Sequence, residues 1–261
     1  MTMPAQSLNP EDEPTPAGIY DYLLRGHHHS AADREAAEKA LALAPETRFA
    51  ALENRAFLQR AVRYAAACGV RQYIDIGSGF PTAGSVHEVA ATVVSDPHVI
   101  YVDYDPAVTE VSRELLRSPN VAVVAHDLRY PWDIIDDHTV DRLIDWSEPV
   151  AILMVAILHF VTDQENPAEI IATLRDRMSP GSYLVLSHGS HGENPDVAEE
   201  AARAWDSARS PITLRTPREI ADLFIGFELV PPGLVTTTEW GTEDPAPTGQ
   251  ALILAAVGQV P

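Results

Sequence analysis

Two hydrophobic patterns follow one another along the chain. Up to about residue 70, apolar positions recur at helical spacing; beyond it, short apolar runs alternate with further helical stretches. Ser30 and Asp33 form a start signal for a helix running to Pro45, because a hydroxyl and a carboxylate three residues apart can satisfy each other's orphan backbone N–H groups. A second helix is expected from about Glu46 to Cys68, with Gly69 as its cap and Leu58, Val62 and Ala65 in its core stripe. Strands are predicted at Tyr73–Ile76, Val99–Val102, Val121–Val124, Val150–Leu158 and Tyr183–Ser187. Between them lie a helix opened by Ser85 and Glu88 and ending near Val94, one opened by Asp105-Pro106, and one over Asn166–Met178. A last capping box, Thr216-Pro217-Arg218-Glu219, precedes Phe227–Val230 and Ala251–Val257, read as an antiparallel pair at the sheet edge. Val150–Leu158 is almost unbroken in its apolarity, as a central parallel strand covered on both faces must be.

Alternating strands and helices define an α/β, Rossmann-like, mostly parallel sheet with helices on both faces. Ligands of such sheets bind beyond the carboxyl ends of the strands, where the strand order reverses. The first strand runs straight into Asp75-Ile76-Gly77-Ser78-Gly79-Phe80-Pro81, whose glycines allow a backbone to approach a ligand closely. Acidic residues recur at successive strand ends. Asp75 suits a cofactor amino group, Asp103 the two hydroxyls of a ribose, and Asp127 an adenine amino group, with the Leu128 N–H beside a ring nitrogen. Ser78, Tyr104, Ala156 and Tyr22 complete the candidate cofactor residues. NAD would also satisfy Asp103, but Thr82 stands where the third glycine of its phosphate-binding turn belongs, and the next helix starts late, at Ser85. The pattern favours S-adenosylmethionine.

From about Tyr20 to Trp240 the chain resembles a bacterial family of class I S-adenosylmethionine-dependent methyltransferases, most of whose members lack assigned substrates. The resemblance is carried by Tyr20-Asp21-Tyr22-Leu23-Leu24, Ala32-Asp33-Arg34, Asn54-Arg55-Ala56-Phe57 and Asp75-Ile76-Gly77-Ser78-Gly79-Phe80-Pro81-Thr82. It continues through Val86-His87-Glu88, Tyr101-Val102-Asp103-Tyr104-Asp105-Pro106, Leu158-His159-Phe160-Val161 and Pro180-Gly181-Ser182-Tyr183-Leu184. It implies a seven-stranded sheet with a reversed hairpin at its edge, and an N-terminal helical cap over the cofactor. The chain departs from the family at Arg25-Gly26-His27-His28-His29, where a Gly-Gly-Lys-Asp-Asn-like run is expected.

Composition narrows the partners. A formal net charge of -20, with 18 basic residues scattered along 261, argues against a nucleic-acid substrate; the expected acceptor is a small molecule, of the secondary-metabolite kind. One cysteine excludes an internal disulfide and fits a cytoplasmic setting; no apolar run reaches membrane-spanning length. The expected organisation is a disordered tail over 1–16, a helical cap over 17–70 and a cofactor-binding domain over 71–261, with 241–248 as a loop between strands. A homodimer is compatible with this sequence. Three adjacent histidines, His27–His29, rarely converge on one ion, and no H-x-x-x-H spacing accompanies them, so no metal is expected. His29 and His159 are the candidate catalytic groups, as acid or base toward an acceptor lined up with the sulfonium methyl. Two rivals remain: an enzyme that cyclises or eliminates S-adenosylmethionine, and a cofactor-binding module without chemistry.

Overall fold

The computed structural model describes residues 13–82, 84–191, 202, 211–242 and 253–261. The expected tail as far as residue 12, and residues 243–248 of the expected loop, lie outside them. Three helices precede the sheet: α1 (Pro16–Leu23), α2 (Ala31–Leu43) and α3 (Thr47–Ala67). The second and third match the expected pair, and Ser30 and Asp33 make both bonds of the capping box. α1 has no counterpart among the expected elements. Eight residues are too few to hold a helix by propensity, so its support is tertiary. The buried Asp33 carboxylate accepts from the N–H groups of both Thr15 and Ser30, joining the start of α1 to the cap of α2. Gly18 allows this approach, because a Cβ there would collide with Asp33. At the other end, Arg48 of α3 donates to the Tyr22 and Leu23 carbonyls, a side-chain tie onto the last turn of α1.

Among the described residues eight strands follow: β1 (Gln72–Ile76), β2 (His98–Asp103), β3 (Val121–Ala125), β4 (Val150–Val155), β5 (Tyr183–Gly189), β6 (Glu228–Leu229), β7 (Val235–Thr236) and β8 (Ile253–Gln259). Their order is β3-β2-β1-β4-β5-β8-β6, with β7 also on β8. β1 to β5 are parallel, and β8 runs antiparallel between β5 and the edge. The expected count of seven is corrected to eight. β6 and β7 meet successive stretches of one side of β8, at Gln259–Gly258 and Ala255–Leu254. Pro231 and Pro232 fall between them, and proline has no N–H to give a ladder, so one edge position is split in two. The fourth strand also ends earlier than its apolar run suggests. Ala156 takes a left-handed conformation (φ 57°), and Leu158–Phe160 form a 3-10 turn that carries His159.

Side chains alternate between two cores. Ile74, Ile152, Met154, Leu184 and Leu186 face α6 (Pro131–Ile135), α7 (His138–Leu143), α8 (Pro167–Arg175) and α9 (Pro217–Asp222). Tyr73, Ala151, Leu153, Tyr183 and Val185 face α3 and α4 (Val86–Ala91). By the same two-residue period Asp75, Asp103 and Ser187 point to the α3 side. α5 (Pro106–Leu115) opens with Asp105 accepting from the Ala107 N–H.

A line of buried polar groups fastens this cap to the sheet. The Ala156 N–H donates to Ser187 Oγ (2.9 Å), and Ser187 Oγ donates to Asn54 Oδ1 (2.6 Å). Asn54 Nδ2 donates to the Tyr20 hydroxyl (2.9 Å), which donates to the Ala51 carbonyl (3.2 Å). Asn54 is fully buried on a face of α3 otherwise made of Ala50, Ala51, Phe57, Leu58 and Ala61. Asn54→Ala leaves Ser187 and Tyr20 without their partner, and we expect a loss of about 1–3 kcal/mol in stability. Urea denaturation of parent and variant checks this; an unchanged midpoint would show that the contact contributes nothing.

Candidate cofactor crevice

A crevice opens over the carboxyl ends of β1, β2 and β4, roofed by α1 and α3, where the order of the sheet reverses on either side of β1. Gly77 and Gly79 turn the chain there with φ of 71° and 63°, and a Cβ on Gly77 would collide with Ile157. Of the residues nominated from sequence, Asp75, Gly77, Ser78, Gly79, Asp103, Tyr104, Ala156 and His159 all line this crevice. The strand ends bring them together, since each lies at the carboxyl end of its strand or within a few residues of it.

The two carboxylates are unlike in their contacts. Asp103 accepts from the Gly79 N–H (2.9 Å) and the Asp105 N–H (3.0 Å), so it braces the glycine turn while facing the crevice. Burial nonetheless pushes it up to about 6. Burial pushes Asp75 up to about 7, a rise that the Arg55 guanidinium opposes and the Asp103 carboxylate reinforces. Arg55, on α3, lines the same crevice. Its Nε and the hydroxyls of Ser78 and Thr82 are buried without hydrogen-bond partners among the described residues. A ligand bearing a carboxylate for Arg55, positive charge for the two aspartates and hydroxyls for Asp103 matches this donor set. Arg55 and Tyr20, which also line the crevice, and Asn54, which donates to Tyr20, carry the resemblance in sequence but were not among the nominated site residues. The available signal was a polar pair, Asn54-Arg55, in the apolar stripe of α3.

Other nominated residues lie elsewhere. His29 is outside the crevice lining: its Nδ1 lies 3.0 Å from Asp21 Oδ2, which also accepts from the N–H groups of His28 and His29. Asp21 is 2% exposed, so the histidine run is folded around a buried carboxylate as a loop. The Tyr22 ring faces away too, with its hydroxyl on Glu38 and the Arg48 guanidinium 5.1 Å from its centroid. The Asp127 carboxylate is forked by Arg129, which reaches on to Glu165; neither Asp127 nor Leu128, whose side chain is buried in the core, is part of the crevice lining. His159 is 7% exposed, and burial together with His188 and Arg215 lowers it well below the ordinary histidine value, so it is neutral at physiological pH.

The strand order, the reversed strand β8 and an acidic crevice beside a glycine turn define a class I methyltransferase fold. The chain belongs to the S-adenosyl methyltransferase family, whose model matches residues 2–261. It is similar to a Thermobifida fusca protein assigned as a methyltransferase: 36% identity, TM-score 0.91, over 100% of this chain and 99% of that one. It is likewise similar to a DUF574 family protein from Streptomyces avermitilis, at 34% identity and TM-score 0.91 over 96% and 99% of the two chains. Human N-acetylserotonin methyltransferase, solved with S-adenosylmethionine, shares the fold at 12% identity and TM-score 0.51, over 87% of this chain and 57% of its own. No curated protein matches. The protein is an S-adenosylmethionine-dependent methyltransferase, and S-adenosylmethionine is its cofactor. Among the described residues no helix is long and apolar enough to cross a membrane.

The raised carboxylates set a pH dependence whose sign follows from linkage. The folded protein holds these protons more tightly than the unfolded chain, so their contribution to stability is complete below the ordinary carboxylate value and is lost as pH rises through about 6 and 7. A cationic ligand reverses the preference by favouring the ionised forms. Affinity for S-adenosylmethionine is therefore expected to rise between about pH 5 and pH 8 with release of protons on binding. Calorimetry in buffers of different ionisation heat measures that release, and its absence would contradict the assignment of Asp75 and Asp103 to the cofactor.

Proposed function

We propose that this methyltransferase acts on a small-molecule acceptor, of the secondary-metabolite kind, bound in the crevice between the helical cap and the sheet. The observation that carries the reading is the division of the crevice lining. Its charged groups, Asp75, Asp103, Asp105 and Arg55, gather with the glycine turn, while Pro16, Ala17, Leu23, Ala50, Ala51 and Phe160 line the rest. The polar part suits the cofactor; the apolar part suits a compact organic acceptor. A net charge of -20 supports a small molecule over a nucleic acid, and a single cysteine, exposed in the structure, supports a cytoplasmic setting.

In this reading Asp103 accepts from the ribose hydroxyls, and the Gly77–Gly79 backbone passes close to the cofactor. The Tyr104 ring, 47% exposed beside Asp103, covers the adenine. Asp75 takes the ammonium group and Arg55 the carboxylate, which places a partner on the unpaired Arg55 Nε. Asp127 stays with Arg129. S-adenosylmethionine supplies an already activated sulfonium methyl. The chain's task is alignment and exclusion of water, for which orientation alone contributes about 7–11 kcal/mol. The Tyr20–Asn54–Ser187 line keeps the cap at a fixed height above the β4 turn, and so fixes where an acceptor sits.

Asp103→Ala is expected to weaken S-adenosylmethionine binding about tenfold or more, through lost hydrogen bonds to a charged group. Unaltered affinity by calorimetry would remove Asp103 from the cofactor site. Methyl-labelled cofactor offered with fractionated small-molecule extracts should yield S-adenosylhomocysteine in equal amount with a labelled product. Consumption of cofactor without S-adenosylhomocysteine would instead indicate cyclisation or elimination.

A further inference from the structure

Arg215 is 4% exposed, is not part of the crevice lining, and was not singled out by any sequence pattern. All five of its N–H donors are used. Nη1 donates to the Leu158 carbonyl (3.1 Å) and to His188 Nε2 (2.7 Å). Nη2 donates to the Val161 carbonyl (2.8 Å) and to Asp163 Oδ1 (2.7 Å), and Nε donates to the same carboxylate oxygen (3.2 Å). The two carbonyls bracket the 3-10 turn that carries His159. The His159 carbonyl itself accepts from the Thr213 N–H, two residues before Arg215 (2.7 Å). Lysine offers three donors without the planar fork and could not make this set of bonds.

The ring of His159 is fixed by the same surroundings. The Gly189 N–H of β5 donates to His159 Nδ1 (3.4 Å). A backbone amide cannot accept, so Nδ1 carries no proton and the neutral ring holds its proton on Nε2. Protonating Nδ1 would set N–H against N–H. The groups facing the ring act in the same direction: His188 from β5 stands edge-on at 5.7 Å, and the Arg215 cation lies behind it. His188 is itself locked, with Nδ1–H on the Gly189 carbonyl (2.7 Å) and Nε2 on Arg215, and burial lowers it to about 4. Asp163, on the turn after His159, is taken up by Arg215.

We propose that His159 serves as a neutral hydrogen-bond donor, through Nε2–H, to an oxygen of the acceptor substrate, and that Arg215 is the positioning residue that holds the turn and ring in that state. The proposal rests on methyl transfer in this crevice. It replaces the role of general base, because Nδ1 is occupied and Nε2 already bears a proton. An acceptor oxygen that arrives ionised, such as a carboxylate or phenolate, needs no base. Its lone pair forms the bond to the methyl carbon, the carbon–sulfur electron pair returns to sulfur, and a donor beside it stabilises the charged oxygen before transfer.

The test uses the full chain saturated with S-adenosylhomocysteine and labelled with ¹⁵N-histidine, the His159 signals being those lost in His159→Gln. Long-range ¹H–¹⁵N spectra should show a single neutral Nε2–H tautomer from about pH 5 to pH 8. An Nδ1–H tautomer, a mixture, or titration near the ordinary histidine value would overturn the donor role. Arg215 should show separately resolved Nη protons in the parent; averaged signals would overturn the clamp without recourse to any variant. Arg215→Lys should free the ring to populate both tautomers while S-adenosylhomocysteine affinity stays within about threefold, and an unchanged His159 spectrum there would overturn the positioning role. Benzoate should move the Nε2–H resonance more than benzyl alcohol at equal concentration, and an equal or absent response would overturn the preference for an ionised oxygen. Failure of the parent to bind S-adenosylhomocysteine would count against the cofactor site, not against the tautomer.

Discussion

The line of hydrogen bonds from Ala156 through Ser187 and Asn54 to Tyr20 is the constraint on which the rest of the site depends. Each link gives a buried polar atom the partner it would otherwise lack, and each belongs to a different element: the turn after β4, β5, α3 and α1. An amide buried in an apolar helix face is costly unless satisfied, so the cap can sit in only one register on the sheet. That register brings Arg55, one residue after Asn54, to the crevice lined by Asp75, and places Tyr20 and the apolar start of α1 over the β4 turn. The left-handed Ala156 belongs to the same arrangement, because its N–H is held by Ser187.

The electrostatics of the crevice follow from this closure. Asp75 and Asp103 are driven up mainly by burial under the cap, with their mutual repulsion secondary for Asp75. Two carboxylates poised near neutrality, beside an arginine with an orphaned N–H, form a surface complementary to a zwitterion that also carries a positive sulfur. In the proposed reading the protein binds its cofactor by supplying the charges that its own burial left unbalanced. Across the crevice the reverse holds. Arg215 is fully paired and His188 and His159 are held neutral, so that side presents hydrogen bonding without net charge.

The two histidines nominated for catalysis show how adjacency and position differ as signals. His29 stands in a conspicuous run, yet the buried Asp21 draws the run into a loop through three bonds to one oxygen. His159 was marked only by its place after an apolar strand, and it is the one that lines the crevice. The residue that governs it, Arg215, sits next to the Thr216 cap of a distant helix, and nothing in its local sequence marks it as buried.

Much of the fold was determined by the sequence alone, because its signals are local. Capping boxes at Ser30, Ser85 and Thr216, prolines at first helical turns and period-two strands with apolar residues on both faces each specify an element within a few residues. The glycine turn and the acids at β1 and β2 were legible for the same reason, since a strand end and the residue after it are neighbours in the chain. The tertiary structure alone decided what depends on distant elements meeting. It made a helix of Pro16–Leu23, divided the last edge strand at Pro231–Pro232, and turned Asp127 to Arg129 and His29 to Asp21. It also chose Asn54, Arg55 and Arg215 from among many polar residues. Burial and pairing are properties of a whole packing arrangement, in which one carboxylate can be a ligand group or a brace depending on which cation reaches it first.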